Sequence, residues 1–152
     1  MTTASSDDLA PALEGARDGW SSAMGLHFVK ATADEVIGEL TVGPAHLQGY
    51  GIVHGGVYCG IIETLASVGA AIAAMARGQS VVGLENHTSF LHAVRGGVLR
   101  GVARPLARGR RSHVWEGTIT DASGRAVATG RVRLITLEPE TSLAGEAVRL
   151  KE

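Results

Sequence analysis

A long, almost wholly apolar segment in the middle of the chain constrains the fold more than any other feature. Over residues 55–77, apolar side chains recur at every third or fourth position, which predicts a helix. These side chains are Val57, Ile61, Leu65, Val68 and Ile72. Small residues fill most of the remaining surface, and Gly78 and Gln79 are expected to end the helix. A helix that is apolar nearly all round must be wrapped by other structure.

The segments on both sides of this helix have the patterns of β-strands. Residues 26–31 and 36–42 flank a turn signal and predict a hairpin. Four more strands are predicted after the helix and are interpreted as a four-strand meander. They span residues 81–91, 98–106, 112–120 and 126–137.

This order of elements predicts an α+β domain at residues 26–138, in which an antiparallel sheet wraps around one long central helix. Residues 1–25 are interpreted as an N-terminal arm or one short helix. Residues 139–152 are interpreted as a polar C-terminal tail.

Composition and charge exclude several classes of protein. With 152 residues, 45% of them hydrophobic and 19% charged, the chain has the size and composition of one globular domain. A formal net charge of −1 disfavours binding to nucleic acid through bulk positive charge. Cys59 is the only cysteine, the N-terminus lacks a secretory signal, and the uncharged run at residues 64–76 is shorter than a membrane span. We expect a cytoplasmic protein with no membrane or nucleic-acid partner.

A single carboxylate interrupts the apolar helix at Glu63, about two turns from its start. One interpretation places Glu63 on a narrow stripe that faces solvent. The neighbours at helical spacing, Gly60, Ser67 and Ala71, continue no charged face and therefore favour a partly buried carboxylate. A carboxylate in such surroundings is a candidate general base or nucleophile.

The predicted start of the helix supplies a second candidate group. The first N–H groups of a helix lack intrahelical acceptors and carry the positive end of its dipole, so Gly55 and Gly56 could hold an oxyanion. Gln48 and His54 precede them in an irregular loop, although each residue, taken singly, fits an ordinary surface or structural role as well. The six histidines form no metal-ligand motif and no phosphate-binding glycine loop is present, so we predict neither a metal nor a cofactor.

Six of the fourteen basic residues lie in one stretch that contains no acidic residue. A solvated strand face and a phosphate-binding site both fit this pattern, because arginine binds phosphate through its planar fork. The six are Arg95, Arg100, Arg104, Arg108, Arg110 and Arg111.

The spaced motif Gln48-Gly-Tyr-Gly-Ile-Val-His54-Gly-Gly-Val-Tyr-Cys-Gly-Ile-Ile-Glu63-Thr-Leu-Ala-Ser67 resembles the signature of hotdog-fold acyl-CoA thioesterases of the phenylacetate-degradation type. The similarity extends over residues 40–137 and is greatest to the 4-hydroxybenzoyl-CoA and 1,4-dihydroxy-2-naphthoyl-CoA thioesterases. It implies a hotdog fold, hydrolysis of an aromatic acyl-CoA and, for the naphthoyl branch, a place in menaquinone biosynthesis. CoA would enter as part of the substrate.

The resemblance also implies roles for individual residues. Glu63 would be the catalytic carboxylate and the Gly55 N–H would polarise the thioester carbonyl. Gln48 and His54 would position the carbonyl or the leaving thiolate, and Ser67 would orient the water or the acyl group. Four residues are assigned to CoA binding, although the loop at residues 109–112 has fewer hydroxyl groups than in the 4-hydroxybenzoyl relatives. They are Ser89, Gly109, Arg110 and Arg111.

Helix geometry predicts that such a site is shared between two chains. Gly55 and Glu63 are eight residues apart, which is about 12 Å along a helix. Groups that act on one thioester carbonyl must converge to within about 3–4 Å of it. Two antiparallel helices related by a two-fold axis meet this condition, so we predict at least a homodimer. The resemblance implies a tetramer.

Two other functions are compatible with the same residues. His54 and Glu63 could act as the acid–base pair of a dehydratase for 3-hydroxyacyl thioesters. A non-catalytic acyl-CoA binding module is the other alternative, although it has no use for a carboxylate at the reaction centre. The sequence leaves open which acyl group is bound and whether Glu63 attacks the carbonyl or activates water.

Overall fold

The computed structural model of the protein describes residues 7–17 and 19–149. The predicted central helix and the six predicted strands are all present, with ends within two residues of those expected. In chain order the elements are α1 (Ala10–Gly15), α2 (Gly19–Met24), β1 (Leu26–Ala31), β2 (Val36–Thr41), α3 (Gly55–Met75), β3 (Ser80–Phe90), β4 (Val98–Arg108), β5 (Ser112–Thr120), β6 (Ala126–Leu137), β7 (Ser142–Leu143) and β8 (Glu146–Ala147).

The six long strands form one antiparallel sheet in the order β1-β2-β4-β5-β6-β3. The predicted four-strand meander is wrong for β3, because β3 pairs with β6 and not with β4. The other three strands, β4, β5 and β6, pair in sequence order as predicted. The reason for the place of β3 is the crossing connection: the chain leaves β3 at one edge and returns beside β2 to begin β4, so that the sheet wraps around α3. As a result β3 is an edge strand of the sheet that the described residues form.

The central helix α3 packs against this sheet through Ile61, Ile62 and Leu65, each about 1% exposed. Glycines in the strands let the helix come close, and a Cβ at Gly117 would lie 3.1 Å from the Ile62 side chain. By length and hydropathy alone α3 could cross a membrane, and it is the one such helix in the described residues. Packing inside the sheet accounts for this apolar character.

The terminal segments contain more regular structure than a single short helix and a tail. Two short helices, α1 and α2, precede the sheet, and Oε1 of Glu14 in α1 accepts the Phe28 N–H at 2.5 Å. The Trp20 ring of α2 lies where a side chain of Gly60 would stand on α3. At the other end, β7 and β8 form a two-stranded hairpin.

A glycine on α3 gives a direct test of this packing. A Cβ at Gly69 would overlap the ring of Trp115, which is fully buried. We expect Gly69→Val to lower the free energy of unfolding by about 1–3 kcal/mol through overpacking. Gly15→Val is the control, because no described atom outside its own helical turn lies within 4 Å of a Cβ at that position. Equal stabilities of the two variants in urea denaturation would contradict this packing.

Candidate active site

The first turn of α3 has one unused backbone donor. His54 is the N-cap residue, and its Nδ1 accepts the Gly56 N–H at 2.8 Å. The Val57 N–H donates to the His54 carbonyl at 2.9 Å. The Gly55 N–H donates to no acceptor among the described residues, so it is the donor that the helix start leaves for a ligand.

A cavity of about 250 Å³ lies beside this donor, and Gly55, Gln48, Tyr58 and Phe90 contribute to its wall. The Phe90 ring packs where a Gly55 side chain would stand, and its centroid is 6.0 Å from that of Tyr58. The Tyr58 hydroxyl is buried and has no hydrogen-bond partner within the described chain. Burial, and then the negative charge of Asp121, raises the pKa of Tyr58, so this hydroxyl stays protonated.

Glu63 lies half-buried on α3 beside the edge strand β3. Its Oε2 accepts a hydrogen bond from Nδ2 of Asn86 at 3.0 Å. Its Oε1 packs against Gly83, where a Cβ would overlap it. The carboxylate is therefore held by Asn86 of β3 and occupies the space that Gly83 leaves beside it.

The structure brings together some of the predicted catalytic residues within one chain and separates others. Gln48 and Gly55 border the same cavity, and the Gln48 Oε1 accepts the Tyr50 N–H at 2.5 Å. Ser67 is half-buried one helical turn beyond Glu63. Gly55 and Glu63 both belong to α3, so they remain about 12 Å apart along its axis. One chain thus contains two separate parts of the predicted site: Gln48 and Gly55 at the start of α3, and Glu63 and Ser67 further along it.

Three of the six clustered arginines are paired with acidic side chains, and Arg95 instead donates to the backbone carbonyls of Tyr50 and Gly51. Arg100 pairs with Glu39, Arg104 with Glu35, and Arg108 with Asp34 at 2.8 Å. In contrast, Arg110 and Arg111 are exposed in the β4–β5 turn and form no ion pair with any described residue. Of the six arginines, these two have guanidinium groups without a polar partner among the described residues, so they are the candidates for binding a phosphate.

Ser89 lies far from that turn in the same chain. Ser89 is opposite Thr129 on β6, whereas the Arg111 carbonyl accepts the Thr136 N–H. Seven residues of one strand separate those positions, which is roughly 23 Å at about 3.3 Å per residue. Ser89 instead borders a different pocket, together with His87 and Arg131. The predicted CoA-binding residues therefore form two groups.

The sequence interpretation did not include Asn86 or Thr88 among the site residues. Thr88 donates its hydroxyl hydrogen to Oδ1 of Asn86 at 2.7 Å. Asn86 lies opposite Val132 of β6, and Thr88 lies opposite Gly130, and both β6 positions are buried. At such positions of β3, an alternating strand would normally carry apolar side chains that face the helix. Two polar residues at inward-facing positions are the sequence signal that could have identified them.

The described residues contain no cluster of three or more His, Cys, Asp or Glu side chains that could hold a metal ion. His54 uses Nδ1 to cap α3, and His46 lies buried with Nδ1 accepting the Gly43 N–H at 2.8 Å. These imidazoles therefore have structural partners.

Comparison with known proteins identifies the family. The family model described as "Thioesterase superfamily" matches residues 50–128. The chain belongs to the thioesterase superfamily. The Mycobacterium tuberculosis protein named "Putative esterase Rv1847" is 45% identical to this thioesterase over 121 residues, which cover 78% of this chain and 86% of the relative. The proofreading thioesterase EntH of Cronobacter turicensis is 36% identical over 109 residues, 72% of this chain and 79% of EntH.

Solved structures are similar over the same region. The Mycobacterium tuberculosis protein aligns with a TM-score of 0.77, covering 78% of this chain and 96% of that one. The S. sahachiroi protein AziG has 36% identity and a TM-score of 0.77, covering 80% of this thioesterase and 98% of AziG. The predicted hotdog fold and the predicted thioester hydrolase activity are confirmed.

Proposed function

We propose that this thioesterase hydrolyses hydroxyaryl acyl-CoA thioesters, such as 1,4-dihydroxy-2-naphthoyl-CoA or 4-hydroxybenzoyl-CoA. The observation that carries the proposal is the Glu63 carboxylate, which Asn86 holds at 3.0 Å on an otherwise apolar helix. The Gly55 N–H at the start of the same helix, which has no acceptor among the described residues, would supply the donor for a thioester oxygen.

The reaction can proceed in two ways at this carboxylate. As a general base, Glu63 removes a proton from water while the water oxygen bonds to the thioester carbon. As a nucleophile, Glu63 bonds to that carbon and forms a mixed anhydride, which water then hydrolyses. In both cases the C–S bond breaks, the CoA thiolate leaves and takes up a proton, and the acid is released.

The remaining predicted residues would assist this step. Gln48, which borders the cavity beside Gly55, would position the carbonyl or the leaving thiolate. His54 would do so through Nε2, because Nδ1 caps the helix. Ser67, one turn after Glu63, would orient the water or the acyl group.

The active site would be completed by a second copy of the chain. The edge strand β3 has one side that pairs with no other described strand, and it exposes Leu84 by 53% and Phe90 by 56%, which favours coverage by another protein surface. A two-fold partner whose α3 runs antiparallel would bring its Gly55 to this Glu63. We propose a homodimer as the active unit and a tetramer of two dimers as the assembly.

The aromatic nature of the acyl group is supported by the cavity beside Gly55. The Tyr58 and Phe90 rings border it with an angle of 37° between their planes, and such a wall suits a flat apolar ligand. Hydrolysis of the naphthoyl thioester would place the enzyme in menaquinone biosynthesis in the cytoplasm.

The phosphates of CoA are expected to bind at the β4–β5 turn. Replacing Arg110 and Arg111 together by Ala should raise KM for acyl-CoA about tenfold or more, because two charge-assisted contacts are lost. The KM for the corresponding acyl-pantetheine, which lacks the nucleotide phosphates, should change little.

Arg108→Ala is the matched control for this experiment, because its guanidinium pairs with Asp34 in the same region. Equal changes in KM for the two substrates in the double variant would place Arg110 and Arg111 away from the nucleotide. Ser89→Ala should be measured in the same assay, since Ser89 lies on a different part of the sheet.

Thiol release and hydration distinguish the three candidate functions. The proposed hydrolase releases free thiol from benzoyl-CoA and does not hydrate crotonyl-CoA. Hydration of crotonyl-CoA without thiol release would identify a dehydratase. Binding of both thioesters without turnover would identify a binding module.

A further inference from the structure

The amide of Asn86 connects β3 to the turn of α3 that carries Glu63. One Nδ2 hydrogen is directed to the Glu63 Oε2 at 3.0 Å and the other to the Cys59 carbonyl at 3.1 Å. In an α-helix the carbonyl of residue 59 also accepts the N–H of residue 63. Asn86 therefore contacts the carboxylate of Glu63 and also the Cys59 carbonyl, which is the helical hydrogen-bond acceptor of the Glu63 N–H.

The orientation of this amide is fixed by a third contact. Oδ1 of Asn86 accepts the Thr88 hydroxyl at 2.7 Å, while both groups on the opposite side are acceptors. A flipped amide would direct its oxygen at two other oxygens and lose both hydrogen bonds. Thr88 in turn occupies space left by Gly130, because a Cβ there would lie 2.5 Å from its Oγ1.

We propose that Asn86, oriented by Thr88, is a positioning residue that fixes the Glu63 carboxylate in its reactive geometry. The inference rests on the proposed function, in which Glu63 acts on the thioester carbon. Asn86 holds Oε2 through a hydrogen bond, and Oε1 lies in the space that the missing side chain of Gly83 leaves, so the carboxylate rests against β3. A small displacement of a reacting group lowers the rate of the chemical step strongly, whereas binding of the CoA part of the substrate is unaffected.

The test is steady-state thiol release from benzoyl-CoA by the full-length protein. Asn86→Ala is expected to lower kcat by about 10- to 100-fold and to change KM by less than about threefold. Asn86→Asp has the same shape but loses both amide donors, so we expect kcat to fall at least as far. Size-exclusion chromatography and thermal unfolding of each variant test whether assembly and fold are retained.

A second pair of variants tests the orienting contact without altering Asn86. Thr88→Val removes the hydroxyl donor at nearly constant volume and should lower kcat several-fold, whereas Thr88→Ser should restore it. A purely structural link between β3 and α3 would lower stability and leave kcat unchanged.

The outcomes separate this inference from the proposed function. Loss of kcat in Asn86→Ala and in Thr88→Val, with recovery in Thr88→Ser, supports it. If Glu63→Gln is inactive while Asn86→Ala and Thr88→Val keep the wild-type kcat, the positioning role is wrong and the function of Glu63 stands. If Glu63→Gln keeps full activity, the proposed mechanism fails and the role of Asn86 fails with it.

Discussion

Replacing Glu63 by Gln is expected to lower kcat for acyl-CoA hydrolysis by about 10²–10⁴-fold, or more if Glu63 is the nucleophile. The amide oxygen of the new side chain can still accept the hydrogen bond that Asn86 now donates to Oε2. The variant therefore keeps the local geometry and loses the charged oxygen that attacks or takes the proton. Thiol release under saturating substrate measures the effect, and Glu63→Ala should give a similar loss.

Glu39→Gln is the matched control, because Glu39 pairs with Arg100 on the opposite face of the sheet. We expect this control to keep the wild-type kcat. Circular dichroism and chromatographic size should be the same for wild type and both Glu63 variants. Full activity of a folded Glu63→Gln protein would exclude Glu63 from the chemical step.

Mixed dimers are expected to regain activity that neither parent possesses. One parent carries Glu63→Ala and the other carries Gln48→Ala, which removes a residue on the same half-site as Gly55. If each site combines Glu63 of one chain with Gln48 of its partner, every mixed dimer has one wild-type site and one doubly defective site. Its activity should therefore reach up to half of that of the wild-type dimer.

Two differently tagged chains, purified sequentially, provide the mixed dimer for this measurement. Each parent dimer, carried through the same unfolding and refolding or co-expression, is the control for spontaneous recovery. Mixed dimers that remain as inactive as the parents would place both halves of the site in one chain, against the separation along α3.

The elements of the fold could be predicted because their patterns are local. Apolar spacing identified α3, and alternation identified β6, in which Ala128, Val132 and Leu134 are buried and Arg131 and Arg133 are exposed. The place of β3 could not be predicted in this way. Its pairing with β6 depends on where the chain crosses the helix, whereas strands adjacent in sequence usually pair with each other.

The candidate site was predictable only where one residue is unusual in its own segment. Glu63 is a carboxylate in an apolar helix, and Gly55 begins that helix, so both could be singled out. The partner of Glu63 could not, because Asn86 follows it by 23 residues and meets it only where β3 packs beside α3. The N-cap contact of His54 with Gly56 likewise depends on the conformation of the loop.

The clustering of arginines in the sequence suggests more unpaired positive charge than the folded protein has. The acidic partners of Arg100, Arg104 and Arg108 come from β2 or the turn before it, more than sixty residues earlier. Pairing between β2 and β4 brings these charges together. Arg110 and Arg111, in the turn beyond the paired strands, have no acidic partner among the described residues, and no local pattern reveals this difference.

Hydrolysis of matched thioesters by the wild-type protein tests the proposed substrate class most directly. We predict that kcat/KM for 1,4-dihydroxy-2-naphthoyl-CoA or 4-hydroxybenzoyl-CoA exceeds that for decanoyl-CoA by at least about tenfold, because the cavity beside Gly55 is bordered by the Tyr58 and Phe90 rings. Thiol release is followed with each substrate at equal enzyme concentration, with the Glu63→Gln protein as the blank. An equal or higher kcat/KM for decanoyl-CoA would contradict the aromatic assignment, and no thiol release from any of the three would contradict acyl-CoA hydrolysis itself.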